Sequence, residues 1–109
     1  SVSKLMLVAI TLDFIQEGKA KLDEIVTTSR KAARMGGTQV YLKEGEKFPL
    51  QELLYAIIIQ SANDACVAVA EHLAGSTDAF VDLMNKKARE LGMKNTHFVS
   101  VSGLYVKPD

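Results

Sequence analysis

The sequence lacks the features that mark several common functional classes. A single cysteine, Cys66, cannot form an internal disulfide, so cysteine pairing gives no information on the framework or the redox compartment. The 13 basic and 13 acidic residues cancel without any run of like charge, which excludes the electrostatic signature of a nucleic-acid-binding protein. No H-E-x-x-H motif, G-x-G-x-x-G motif or P-loop occurs, so no metal or phosphate site is indicated.

Long hydrophobic runs are also missing. The most apolar stretch, Leu5 to Ile15, is interrupted only by Thr11 and Asp13, but it is shorter than the roughly 20 residues that cross a bilayer. A helix without a polar face belongs inside a protein, so we predict a central, buried helix from Val2 to about Glu17. With 109 residues, 48% of them hydrophobic, the chain predicts one globular domain over residues 1–109.

Most of the remaining sequence is typical of helices. Apolar spacing and stop signals predict one helix after Pro49, a second from the polar Ser61–Asp64 interruption to Gly75, and a third capped by Ser76–Asp78 that ends at Gly92. Three shorter elements are predicted by β-branched residues, alternation and glycine stops: strands at Glu24–Thr27 and Thr38–Leu42, and a helix at Ser29–Met35. Cys66 falls in an apolar helical run, where a small core residue is the expected role.

The first candidate for chemistry is the pair Ser1 and Lys4. Residues three apart share one face of a helix, so a hydroxyl and an amine would meet in the first turn. A serine becomes a nucleophile when a neighbouring base takes its proton, and an amine can be that base where an apolar surrounding disfavours its charge. An N-capping serine followed by an exposed lysine gives the same pattern, so this pair alone is weak evidence.

A second candidate lies about sixty residues further on, at the break between two apolar helices. Ser61 could pass a proton, and the Asn63 amide could bond both a lysine and a substrate amide. A helix cap followed by a turn is again the common meaning of S-x-N. In this order, however, S-x-x-K and S-x-N are two of the three motifs of serine β-lactamases and penicillin-binding proteins.

Beyond these motifs, the sequence resembles the D-alanyl-D-alanine carboxypeptidases, which are low-molecular-mass penicillin-binding proteins. The resemblance covers nearly the whole chain. The segments that carry it are Met35–Thr38, Leu42–Glu46, Leu53–Ala65, Ala70–Ser76, Phe80–Asn85 and Leu91–Phe98.

The resemblance implies a role for each motif residue. Ser1 would be the nucleophile, Lys4 its base, Ser61 a proton relay and Asn63 the amide that orients Lys4 and holds the substrate. The implied substrate is a peptidoglycan stem peptide ending in D-Ala-D-Ala, with β-lactams trapped on the same serine. The resemblance implies no metal or organic cofactor, and an extracytoplasmic location in the periplasm or cell envelope.

Departures from the family pattern are equally informative. The third family motif, Lys-Thr-Gly on a strand beside the site, is absent; the late Lys107 is followed by Pro108 and Asp109. Losing one oxyanion-hole donor from that strand costs on the order of 10²–10³ in rate. The family's strands before the nucleophile are missing too. We therefore expect the mainly α, helical part of the β-lactamase/transpeptidase-like α/β fold, without most of its central antiparallel sheet.

Three interpretations follow. The chain is the catalytic-serine part of a carboxypeptidase, impaired by its shortness, and we expect it to be a fragment, since it starts at its main motif and shows no targeting or lipidation signal. Alternatively, it is a non-catalytic helical module that binds or self-associates through exposed core. Thirdly, Ser1 could act through its own α-amine, which would make Lys4 unnecessary.

Overall fold

The computed structural model describes residues 2–103. Five helices and two short strands follow one another in this part of the chain. Their bounds are α1 Val2–Gln16, β1 Ile25–Thr27, α2 Arg30–Ala33, β2 Lys47–Pro49, α3 Leu50–Gln60, α4 Asn63–Ala74 and α5 Thr77–Glu90. This arrangement confirms the expected fold class: a mainly helical body with minor strands.

Local sequence accounts for the helix ends. The Ser29 hydroxyl accepts a hydrogen bond from the Ala32 N–H and starts α2, and Ser76 does the same for α5 through the Ala79 N–H, each at 3.0 Å. Gly75 ends α4 with φ at 89°, a left-handed conformation that glycine adopts without steric cost. The predicted boundaries of the three longer helices after Pro49 are confirmed to within a few residues.

The sheet is small. Strands β1 and β2 pair antiparallel, with Val26 opposite Phe48, and β1 confirms the extended segment predicted at Glu24–Thr27. The strand predicted at Thr38–Leu42 is wrong, because that segment is irregular. The backbone N–H groups of Val40 and Leu42 donate to the carboxylate of Asp64 instead of to a neighbouring strand.

Helix α4 lies at the centre of the body. It packs against α1, α2, α3, α5 and β1, and every residue from Asn63 to Ala70 is buried. Helix α1 contributes Met6, Leu7, Ile10 and Thr11 to the same core. The prediction that α1 is buried all round is wrong, since Leu5 and other apolar residues of this helix are exposed.

Candidate active site

The S-x-x-K and S-x-N motifs meet through Lys4. Lys4 lies in the first turn of α1, and its ammonium donates a hydrogen bond to the main-chain carbonyl of Ser61, with Nζ and O 2.8 Å apart. The two residues are 57 positions apart, so only the packing of α1 against α3 and α4 brings them together. The structure thus places the amine of the first motif directly against the second.

Ser61 occupies the break between α3 and α4 in a left-handed conformation, with φ at 53° and ψ at 41°. For a residue with a side chain this conformation costs about 1–2 kcal/mol relative to the right-handed one. Its N–H still bonds the Ile57 carbonyl and completes the end of α3, while its own carbonyl receives the Lys4 ammonium. Such outliers cluster at functional sites, and one of the two left-handed non-glycine residues within residues 2–103 is this predicted site residue.

Asn63 begins α4 and is buried, with 5% of its surface exposed. Its side-chain Nδ2 donates to the Gly36 carbonyl at 3.0 Å, and its backbone N–H donates to the Thr38 carbonyl at 2.8 Å. Lys4 bonds the Ser61 carbonyl and not the Asn63 amide. The amide is therefore fixed by residues 36–42, hereafter the 36–42 loop.

The nucleophile predicted from sequence, Ser1, lies outside the described residues. Among the other predicted site residues, Lys4 and Ser61 are in direct contact, and Asn63 follows Ser61 by two positions. Their catalytic roles remain predictions.

A groove between α1 and α3 opens beside Lys4. Its volume is about 230 Å³, and its walls are mostly apolar. The lining residues are Lys4, Leu5, Val8, Ile57, Ile58 and Ser61. The polar end of this groove is therefore formed by the same two residues that join the motifs.

Two further ionisable groups lie near the start of α4. Burial raises the pKa of the Cys66 thiol to about 12, so it stays protonated and unreactive at neutral pH, as expected of a core residue. Asp64 is completely buried, with its carboxylate accepting three backbone N–H groups. From the sequence, Asp64 is placed in the polar interruption between two helices and in the Leu53–Ala65 segment that resembles the family, without a role of its own. One sequence feature could have indicated that Asp64 is buried: its carboxylate directly precedes the small and apolar run Ala65–Ala70.

Comparison with known proteins identifies the family. A sequence model of the D-alanyl-D-alanine carboxypeptidases matches residues 1–108. The chain belongs to this family. The D-alanyl-D-alanine carboxypeptidase DacF of Bacillus subtilis is 46% identical over 95% of the chain, which spans only 27% of that relative's length.

Solved structures of this carboxypeptidase family and of related penicillin-binding proteins share the fold. The carboxypeptidase DacD from Francisella tularensis superimposes with a TM-score of 0.94 at 38% identity, covering 99% of this chain and 26% of DacD. Penicillin-binding protein D2 from Listeria monocytogenes, solved in a cefotaxime-bound form, superimposes with a TM-score of 0.83 at 31% identity, covering 97% of this chain and 42% of that one. At 38% and 31% identity, these two proteins resemble the chain in sequence as well as in fold.

None of the helices within residues 2–103 combines the length and the apolar character needed to cross a membrane.

Proposed function

We propose that this chain carries the nucleophile, base and relay residues of a serine-type D-Ala-D-Ala carboxypeptidase that trims peptidoglycan stem peptides. The observation that carries the proposal is the 2.8 Å hydrogen bond from Lys4 to Ser61, because it unites two motifs that are far apart in the sequence. Family membership supplies the reaction class, and the cefotaxime-bound relative supports β-lactams as a second class of ligand. Since peptidoglycan lies outside the cytoplasm, we also propose an extracytoplasmic location.

In the proposed reaction, the Lys4 amine accepts the hydroxyl proton of Ser1 while the serine oxygen attacks the carbonyl carbon between the two terminal D-alanines. The Ser61 hydroxyl then gives its proton to the leaving nitrogen and regains the proton that Lys4 took from Ser1, the C–N bond breaks, and D-alanine departs. Asn63 holds the substrate's peptide amide through the amide oxygen and the second N–H of its side chain, since its other N–H is bonded to Gly36. Water then hydrolyses the ester on Ser1 and regenerates the hydroxyl.

Incubation with a fluorescent penicillin tests this reaction. Peptide mapping should find the covalent mass increase on Ser1, and Lys4→Ala should abolish it. Lys94→Ala is the matched control, because Lys94 is an exposed lysine outside the site, and it should label like the parent chain. Labelling that survives Lys4→Ala would instead support the α-amine of Ser1 as the base.

We expect labelling to be slow. The Lys-Thr-Gly motif is absent from the sequence, and loss of an oxyanion-hole donor alone reduces rate on the order of 10²–10³. Release of D-alanine from a peptide ending in D-Ala-D-Ala should be correspondingly weak. Complete absence of labelling at long times and high penicillin concentration would contradict the proposal.

A second candidate function, self-assembly without catalysis, is favoured by exposed apolar surface. Leu5 is 71% exposed and Ile58 is 60% exposed, and both line the groove between α1 and α3. Exposed apolar side chains that adjoin one another mark association surfaces. Under this hypothesis the groove face binds a second copy of the chain.

Sedimentation velocity over a range of concentrations tests the second candidate. Leu5→Lys combined with Ile58→Lys should abolish a concentration-dependent dimer. Leu91→Lys is the matched control, since Leu91 is also 60% exposed but lies at the end of α5. A parent chain that stays monomeric at all concentrations would rule out assembly through this face. So would a Leu91→Lys control that weakens the dimer as much as the double variant does.

A further inference from the structure

Asp64 is a buried carboxylate that the proposed reaction does not use. It is 0% exposed, and no cationic side chain within residues 2–103 forms an ion pair with it. Its Oδ1 accepts the N–H groups of Val40 at 3.1 Å and Ala65 at 3.0 Å, and its Oδ2 accepts the N–H of Leu42 at 2.9 Å. A buried carboxylate is tolerated only when hydrogen bonds replace its hydration, and here main-chain N–H groups do so.

Two of these three donors come from the 36–42 loop. The loop has no regular secondary structure, so its N–H groups depend on partners outside it. Tyr41 has φ at 61°, and this left-handed residue lies between the two N–H groups that converge on one carboxylate. The Tyr41 side chain is 74% exposed, so burial of its ring does not offset the cost of the conformation. The carboxylate of Asp64 provides the compensating interaction.

The same loop holds the side chain of Asn63. Gly36 accepts from the Asn63 amide, and Thr38 accepts from the Asn63 backbone N–H. Consecutive residues at the start of α4 therefore bind the loop in two ways: Asn63 donates to its first half, and Asp64 accepts from its second half. If the second half is released, the carbonyl that fixes the Asn63 amide loses its support.

We propose that Asp64 is a positioning residue, which orients the Asn63 amide by fixing the 36–42 loop against the start of α4. The kinetic consequence of this inference rests on the proposed carboxypeptidase function, whereas its structural consequence does not. A displacement of about 1 Å at a site group can cost on the order of a hundredfold in rate, so the loss of this support reduces acylation without removing any reacting atom.

Nuclear magnetic resonance on Asp64→Asn tests the structural consequence. The substitution keeps the volume but turns one acceptor into a donor. Amide exchange at Val40 and Leu42 should accelerate by about tenfold or more through local opening. The Asn63 side-chain amide signal should shift or broaden.

The chain contains an internal control for this measurement. The Asn85 side-chain amide donates to the Phe98 carbonyl at 3.0 Å, the same distance as the Asn63 to Gly36 bond, but on α5. Its signal should stay unchanged in Asp64→Asn. Equal changes at Asn63 and Asn85 would indicate general destabilisation and overturn the inference, as would an unchanged Asn63 signal. Asp82→Asn, at an exposed position of α5, is the matched charge-removal control and should alter neither signal.

The parent chain provides a test that does not depend on the variant folding. A through-hydrogen-bond scalar coupling should join the Leu42 nitrogen to the Asp64 side-chain carboxyl carbon, and its absence would overturn the inference. The acylation rate by fluorescent penicillin should fall about tenfold to a hundredfold in Asp64→Asn. If the parent chain is not acylated at all, the proposed function fails, while the signals of Asn63 and Asn85 still decide the role of Asp64.

Discussion

Helices α1 and α4 contrast in how their composition relates to their burial. Helix α1 is the more apolar, yet its Leu5 is 71% exposed and its Leu12 is 51% exposed. Helix α4 begins with Asn63 and Asp64, yet both of these polar residues are buried. Burial therefore follows the number of elements that surround a helix more closely than it follows the hydrophobicity of the helix.

The small side chains of α4 explain its position. Between Ala65 and Ala70 the helix contains only alanine, cysteine and valine, so neighbouring elements approach it from every side. Helix α1 carries leucine, isoleucine and methionine around its whole circumference, but its main contacts with other elements within residues 2–103 are those with α3, α4 and α5. An apolar sequence supplies a surface that can be buried, and the tertiary arrangement decides which part of that surface is covered.

The largest loss of stability should come from a substitution on the covered side of α1. Leu7 is fully buried, so Leu7→Ala should lower the free energy of unfolding by about 2–5 kcal/mol through lost transfer energy and the cavity left behind. Urea denaturation measures this change. Leu5→Ala, on the exposed side of the same helix, is the control and should change stability by less than about 0.5 kcal/mol. Similar losses for both variants would mean that α1 is covered on both sides.

A smaller effect should come from adding volume to α4. Ala68 is 1% exposed, and Ala68→Leu should lower the free energy of unfolding by about 1–3 kcal/mol, because the added carbons must displace the elements that cover this position. The same substitution at the half-buried Ala9 of α1 should cost less. If Ala9→Leu is the more damaging of the two in urea denaturation, the contrast between the helices is wrong.

The smallest effect on stability should come from the last turn of α4, where His72 pairs with Glu24. The hydrogen bond from His72 lowers the pKa of Glu24 below its ordinary value of 4.5 in the folded state. This contribution to stability is therefore present above about pH 4.5 and is lost as the pH falls through the lower, folded pKa.

Thermal unfolding of the parent chain and Glu24→Gln at several pH values measures this contribution. The difference in Tm should be greatest above pH 4.5 and should shrink on acidification. Glu52→Gln, at an exposed position of α3, is the control and should show a smaller pH-dependent difference. A Glu24→Gln difference that grows on acidification would contradict the assignment.

Much of the local structure could be predicted because its causes lie within a few residues. Ser76 and Gly75 define helix ends through caps and a positive φ, and these boundaries were predicted. The strand predicted at Thr38–Leu42 failed because the partner that satisfies its backbone, Asp64, is more than twenty residues away. Alternation of side chains does not reveal whether a neighbouring strand is present.

For the candidate site, too, the residue types could be predicted from the sequence and the contacts between distant residues could not. From residue types and spacing alone, the sequence predicted the motif residues Ser1, Lys4, Ser61 and Asn63 as the site, and it indicated the family that the comparison then confirmed. The bond from the Lys4 ammonium to the Ser61 carbonyl, and the bonds of Asn63 and Asp64 to the 36–42 loop, follow from the packing of the helices. The physical reason is that residue type and spacing fix local conformation, whereas contacts between distant residues depend on how the helices pack.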